Sequence, residues 1–186
     1  CFPSATGLLF RGNLRFCDSG SLMSNVFSVK VWRWYLLALI VIALDLGTKY
    51  WASSVLEYGR PVVFTSFFNF TLLHNHGAAF SFLSDAGGWQ RWFFTAIAVA
   101  VSVTLVFWLT RCADKRREAF GFSMILGGAI GNLYDRLQHG YVVDFIVVHY
   151  QDYYWPAFNL ADSAITLGAI MLLLDLFLTR ENTGNA

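Results

Sequence analysis

The pattern of apolar and polar positions divides this chain into long apolar runs separated by short mixed stretches. Four runs, about 31–52, 92–110, 119–135 and 158–178, each approach the ~20 residues that a helix needs to cross a bilayer. The run from Trp92 to Thr110 holds no charge and is bounded by Arg91 and Arg111. Asp45 and Lys49 interrupt the distal end of the first run and no small-residue cleavage site follows, so it reads as a retained helix rather than a signal peptide. Between runs one and two the period shortens. Phe68-Asn69-Phe70-Thr71-Leu72 alternates apolar and polar, and Pro61-Val62-Val63-Phe64 is rich in strand formers, which predicts a small sheet with an apolar face within 60–83. A bare sheet edge is not tolerated in hydrocarbon, so this sheet is expected to rest on the membrane surface. The stretch between runs three and four reads as a loop whose Tyr150, Tyr153, Tyr154 and Trp155 favour the headgroup zone. The expected fold is a membrane all-α bundle of four transmembrane helices with a small extracytoplasmic β-sheet and a periplasmic loop or helix.

Composition sharpens this picture. Hydrophobic residues make up 56% of the chain and charged residues 13%, about half the charged share of a soluble domain. A net charge of +1 supplies no basic face, which argues against a nucleic-acid partner. Cys1, Cys17 and Cys112 are an odd number without C-x-x-C spacing or a nearby His cluster, so neither a disulfide framework nor a zinc site is suggested. His74, His76, His139 and His149 are read as scattered loop residues without metal-ligand spacing. Residues 1–22 carry no sustained periodicity and precede Met23, so they are expected to be a non-native or disordered extension, with 23–186 as a single domain.

Charge also sets orientation. Lys30 and Arg33 precede the first run, Arg111, Lys115, Arg116 and Arg117 separate the second and third, and Arg180 follows the fourth; by the positive-inside rule both termini are cytoplasmic. At 1.5 Å per residue, Asp45 then lies roughly 20 Å along helix one and Asp135 roughly 24 Å along helix three, both toward the outer face. Asn132, Asp135 and Arg136 share a helix face at i, i+3 and i+4, as do Asn159 and Asp162 at i, i+3. Gly127 and Gly131 form a G-x-x-x-G that admits a close neighbour. Carboxylates at membrane depth are costly and therefore functional candidates. Asp144 and Asp162, at the two ends of the last loop, would meet at one membrane face, where two carboxylates can share a proton and activate water.

Five strings stand in the order and spacing of lipoprotein signal peptidase, or signal peptidase II, and the chain resembles that family from about Trp32 to Leu178. They are Asp45-Leu46-Gly47-Thr48-Lys49, Asn75-His76-Gly77-Ala78-Ala79-Phe80-Ser81, Gly131-Asn132-Leu133-Tyr134-Asp135-Arg136, Val142-Val143-Asp144-Phe145 and Asn159-Leu160-Ala161-Asp162-Ser163. The resemblance implies a metal-independent aspartic endopeptidase of the bacterial cytoplasmic (inner) membrane, without cofactor and acting at the outer face. It would cut signal peptides from prolipoproteins before a diacylglyceryl-modified cysteine. It implies Asp144 and Asp162 as catalytic pair, with Asp45, Lys49, Asn75, Gly77, Asn132, Asp135, Arg136 and Asn159 supporting the pair or the substrate. The expected partners are the diacylglyceryl prolipoprotein and membrane lipid, and the chain is expected to be monomeric. Two other classes compete with this reading. A proton- or ion-coupled carrier would need a polar relay to both faces, and a noncatalytic scaffold would merely bury an ion-pair network.

Overall fold

A computed structural model describes residues 29–77 and 89–184. The expectation for 1–22 and residues 78–81 of the second string lie outside the described residues. The elements run α1 (Val29–Val55), β1 (Val62–Thr65), β2 (Phe68–Asn75), α2 (Trp89–Cys112), α3 (Arg116–Gln138), β3 (Val142–Tyr150), β4 (Tyr153–Tyr154) and α4 (Leu160–Gly184). The first three helices extend two or three residues past their predicted bounds, and α4 starts two residues later and ends six later than expected, because the expected limits followed apolarity, whereas the backbone ladder continues through the polar ends.

The helices α1, α2 and α4 are long and apolar enough to cross a membrane. Only 17–28% of their most apolar windows is buried against the rest of the chain, so most of this apolar surface faces outward. That distribution needs a hydrocarbon solvent. The third helix is less apolar, for a physical reason: α3 packs against α1, α2 and α4 together. Its surface is covered by protein and can be built from small and polar groups. The G-x-x-x-G expectation meets its partner here, since a Cβ at Gly127 would come within 2.8 Å of the Ala38 carbonyl oxygen and one at Gly131 would strike the Asp45 carboxylate. The backbones of α1 and α3 therefore approach closely enough to bring Asp45 beside the polar face of α3.

The inner core joins Ala38, Leu105, Leu109, Ala119, Phe122 and Leu126 from three helices. Cys112 also belongs to it and is disulfide-bonded, which the odd cysteine count did not suggest.

The sheet is larger than the sequence predicted. Its order is β1-β2-β3-β4, all antiparallel, and β3 is the stretch expected to be a loop. The run Val142-Val143-Asp144-Phe145-Ile146-Val147-Val148 forms a strand because its β-branched residues are buried on both sides of much of the pleat. The connection between α3 and α4 contains no helix; it is a strand, a tight turn and a short return strand. Leu72, Val143 and Phe145 pack on Ala52 and Leu56 and seat the sheet on the end of α1. Tyr150, Tyr153, Tyr154 and Trp155 are exposed, as are Val62, Val63 and Phe64 on the far strand and Phe67 in the turn that follows it.

Candidate active site

Five elements converge where the sheet meets the helix ends. In the register of β2 and β3, Leu73 faces Asp144 and Asn75 faces Val142. Alternation then puts Asn75 and Asp144 on one face as diagonal neighbours, and the Asn75 Nδ2 donates to Asp144 Oδ2 at 3.0 Å. The Asn75 side chain is itself fixed, because Gly77 N donates to its Oδ1 at 2.9 Å.

The other carboxylate arrives on α4. Phe158 exchanges backbone hydrogen bonds with Ile146, Phe158 N to Ile146 O at 3.0 Å and Ile146 N to Phe158 O at 2.9 Å, so the chain entering α4 is laced to β3. Asn159 caps α4: its Oδ1 accepts from Asp162 N at 3.0 Å, and Asp162 Oδ2 accepts from Asn159 N at 3.3 Å. This reciprocal pair is a capping box built from Asn and Asp. It fixes both side chains at the start of the helix, where the N–H groups would otherwise lack partners.

Asn159 and Asn132 link the two carboxylates. Asn159 Nδ2 donates to Asp144 Oδ1 at 2.7 Å, and Asn132 Nδ2 donates to Asp162 Oδ1 at 2.8 Å. The two amides also touch each other, Asn159 Nδ2 to Asn132 Oδ1 at 3.2 Å. Lys49 supports them from below. Its ammonium meets Asn132 Oδ1 at 2.9 Å, Asp45 Oδ2 at 2.8 Å and Asp135 Oδ2 at 3.0 Å. Those three contacts match its three protons. Asp45 further accepts from Ala161 N at 2.8 Å and Asp135 from Val143 N at 3.0 Å. Each buried carboxylate thus ties an ion pair to the backbone of an element that carries Asp162 or Asp144. Asp45 thus pairs with Lys49 along its own helix, at i, i+4.

Arg136 donates to the Asn132 carbonyl at 3.3 Å, lies over the Phe94 ring at 5.5 Å, and faces the carboxylates of Asp162, Asp144 and Asp135. Asp144 is 2% exposed. Burial first, and then the Asp162 charge, pushes its carboxyl up to about 7, against the lowering pull of the Asn75 and Asn159 hydrogen bonds and of Lys49. A carboxyl so placed can hold a proton near neutrality while its half-buried neighbour Asp162 stays within reach of water. Such a pair can act as acid and base together.

The structure therefore gathers all ten sequence-selected residues, with Gly77 entering through its backbone N–H. It also corrects two readings. Asp144 stands in a strand rather than at a loop end, which is why its carboxylate is so fully buried. The histidines are not scattered on loops. His74 and His149 lie in strands, and His74, His76 and His139 gather around the Tyr141 ring at 3.9, 5.5 and 5.7 Å. Burial, followed by the neighbouring His76 and His139, lowers the His74 pKa. Sequence reasoning gave Arg91 only a boundary role, yet its Nη2 donates to the Leu137 carbonyl at 2.8 Å and clamps α2 to the end of α3. The available signal was a cation in the first turn of a helix, where the dipole disfavours it unless another partner holds it. Among the described residues no group of three or more His, Cys, Asp or Glu could hold a metal ion.

Comparison with known proteins follows the same boundaries. The profile of the Signal peptidase (SPase) II family matches residues 37–178. A lipoprotein signal peptidase of Cellvibrio japonicus is 65% identical over 153 residues, covering 82% of this chain and 90% of its own. One from Pseudoalteromonas atlantica is 50% identical over 161 residues, covering 86% and 98%. A bacterial membrane enzyme solved at 2.3 Å resolution superposes with a TM-score of 0.71 at 32% identity, over 81% of this chain and 90% of that one.

Proposed function

This chain belongs to the signal peptidase II family, and we propose that it is the membrane aspartic endopeptidase that removes signal peptides from diacylglyceryl-modified prolipoproteins, cutting before the lipidated cysteine with Asp144 and Asp162. Family membership makes it a membrane-bound peptidase that acts on lipoproteins. The mechanism rests on one observation: two carboxylates from different elements are held by a shared pair of asparagine amides, and one of them is buried enough to keep its proton near pH 7.

In this reading a water molecule sits between the pair and the scissile carbonyl. Ionised Asp162 takes a proton from that water as its oxygen attacks the carbonyl carbon. Protonated Asp144 donates a hydrogen bond to the carbonyl oxygen and stabilises the charge that develops there. Collapse of the tetrahedral intermediate breaks the C–N bond, and the proton taken from water passes to the leaving amine of the lipidated cysteine. Arg136 holds negative charge in the site, and Lys49 fixes the asparagine that orients Asp162.

The third helix completes a four-helix span, with both termini cytoplasmic and the site at the outer face of the inner membrane. The sheet then lies at headgroup depth, and its exposed aromatic and apolar residues suit that zone. A substrate whose acyl chains stay in the bilayer is thereby held with its peptide bond at a fixed height against the dyad. A carrier is less well supported. The buried charged side chains among the described residues, Asp45, Lys49, Asp135 and Asp144, belong to one cluster and form no relay to the other face. The test is cleavage of a diacylglyceryl prolipoprotein and its unmodified precursor in proteoliposomes at equal density, with mass spectrometry of the products. The expected outcome is a new N-terminus at the lipidated cysteine and much slower cleavage of the unmodified precursor. Equal rates would refute the positioning role of the lipid, and absence of cleavage would favour a carrier or a scaffold.

A further inference from the structure

The active-site machinery leaves one contact without a role. Asn75 reaches Asp144 through a turn whose next glycine has φ +100°, a conformation that favours glycine. A Cβ at Gly77 would also lie 2.7 and 2.8 Å from Cδ2 and Cε2 of Phe94, and 3.5 Å from Cβ of Gln90. The Gly77 backbone therefore rests directly on the Phe94 ring. The ring also meets Phe93 edge-on, with centroids 5.4 Å apart, and the Arg136 guanidinium carbon lies 5.5 Å from its centroid, within cation–π range. The ring itself is held in place: Arg91, one turn earlier, binds the Leu137 carbonyl and stands against Gly140, so the start of α2 is anchored to the end of α3.

We infer that Phe94 is a positioning residue for the cleavage reaction: its ring seats the Gly77 turn that aims the Asn75 amide at Asp144, and carries the Arg136 guanidinium beside the same carboxylates. The inference rests on the proposed roles of Asp144 and Asp162. Gly77 N–H holds Asn75 Oδ1, which leaves Nδ2 directed at Asp144 Oδ2. A smaller side chain at 94 removes the support under the turn and the face under Arg136 in a single step. Both losses act on Asp144 with the same sign. A hydrogen-bond donor and a cation each favour the ionised carboxylate, so weakening either makes the Asp144 proton harder to remove. Lys49 on α1 and Asp162 on α4 still face Asp144 in such a variant.

The test compares Phe94→Leu, Phe94→Tyr and Asp144→Asn in proteoliposomes with a diacylglyceryl prolipoprotein, recording kcat, KM and the pH dependence of kcat/KM. For Phe94→Leu a roughly ten- to hundredfold fall in kcat is expected, with KM changed less than about twofold. Its alkaline limb should move up by about one pH unit. Phe94→Tyr, which keeps the ring face, should retain wild-type kcat and pH profile. A Phe94→Leu enzyme with wild-type kcat and an unmoved limb, beside an inactive Asp144→Asn, would overturn the inference and leave the dyad standing. Loss without a moved limb, or equal losses in Leu and Tyr variants, would also overturn it, since packing alone would explain them. Retained cleavage by Asp144→Asn would instead remove the catalytic reading on which the inference rests.

Discussion

At the scale of single residues, Asp144 departs furthest from its ordinary chemistry. Its proton is held because burial and the Asp162 charge outweigh two amide donors and Lys49, and the resulting pKa of about 7 sets the working range. Since the reaction uses protonated Asp144, activity should fall as pH rises through that value. The expected profile is a kcat/KM that drops about tenfold per pH unit above about 7; a flat profile up to pH 9 would show that no such proton is needed. Lys49 makes the complementary case. It is 3% exposed and pairs with two buried carboxylates, so Lys49→Met leaves both without their cation and should cost about 3–5 kcal/mol. Thermal unfolding in detergent would read this as a large fall in Tm, and the further change Asp45→Asn should recover part of it. The residues at these positions were legible in the sequence because an Asp or Lys inside an apolar run is conspicuous. Their partners were not. Asp45 could pair along its own helix or across to Arg136, and only the close approach at Gly131, which also brings Ala161 N–H within 2.8 Å, shows how the choice is made.

At the scale of elements, the helices were legible and the third strand was not. Apolar runs near the membrane-spanning length announce helices directly. In contrast, β3 opens with seven residues of nearly continuous apolarity interrupted by Asp144, and a short apolar run does not by period alone separate strand from buried segment. Its β-branched content was the usable signal. The consequence is functional, since strand pairing rather than loop geometry sets Asp144 diagonally from Asn75. The start of α4 carries a testable division of labour. Asn159 caps the helix through Oδ1 and binds Asp144 through Nδ2. Asn159→Ala should lose both, destabilising by about 0.5–2 kcal/mol and slowing cleavage. Asn159→Asp keeps a capping oxygen but no donor, and adds a charge beside Asp144. It should retain more stability than the alanine variant in thermal unfolding yet cleave no faster. Equal stability of the two variants would argue that the cap contributes little.

At the scale of the whole molecule, the chain is organised inside out: apolar side chains cover the outer surface of α1, α2 and α4, while the charged residues of lowest exposure among the described residues gather in one cluster under the sheet. The sequence carried this organisation in its composition, and the family motifs carried the polar cluster. It did not carry the reason α3 is less apolar than its neighbours, which is that α3 faces protein on three sides. Because the sheet, the end of α1 and the start of α4 all brace the two aspartates, changing a carboxylate to its amide should remove chemistry without removing fold. The most direct measurement is therefore a gel-shift assay of a diacylglyceryl prolipoprotein with the wild-type chain, Asp144→Asn and Asp162→Asn, each first shown to be folded and monodisperse in detergent. Folded protein with cleavage abolished in both variants is the predicted result; substantial cleavage by either folded variant would contradict the two-aspartate mechanism.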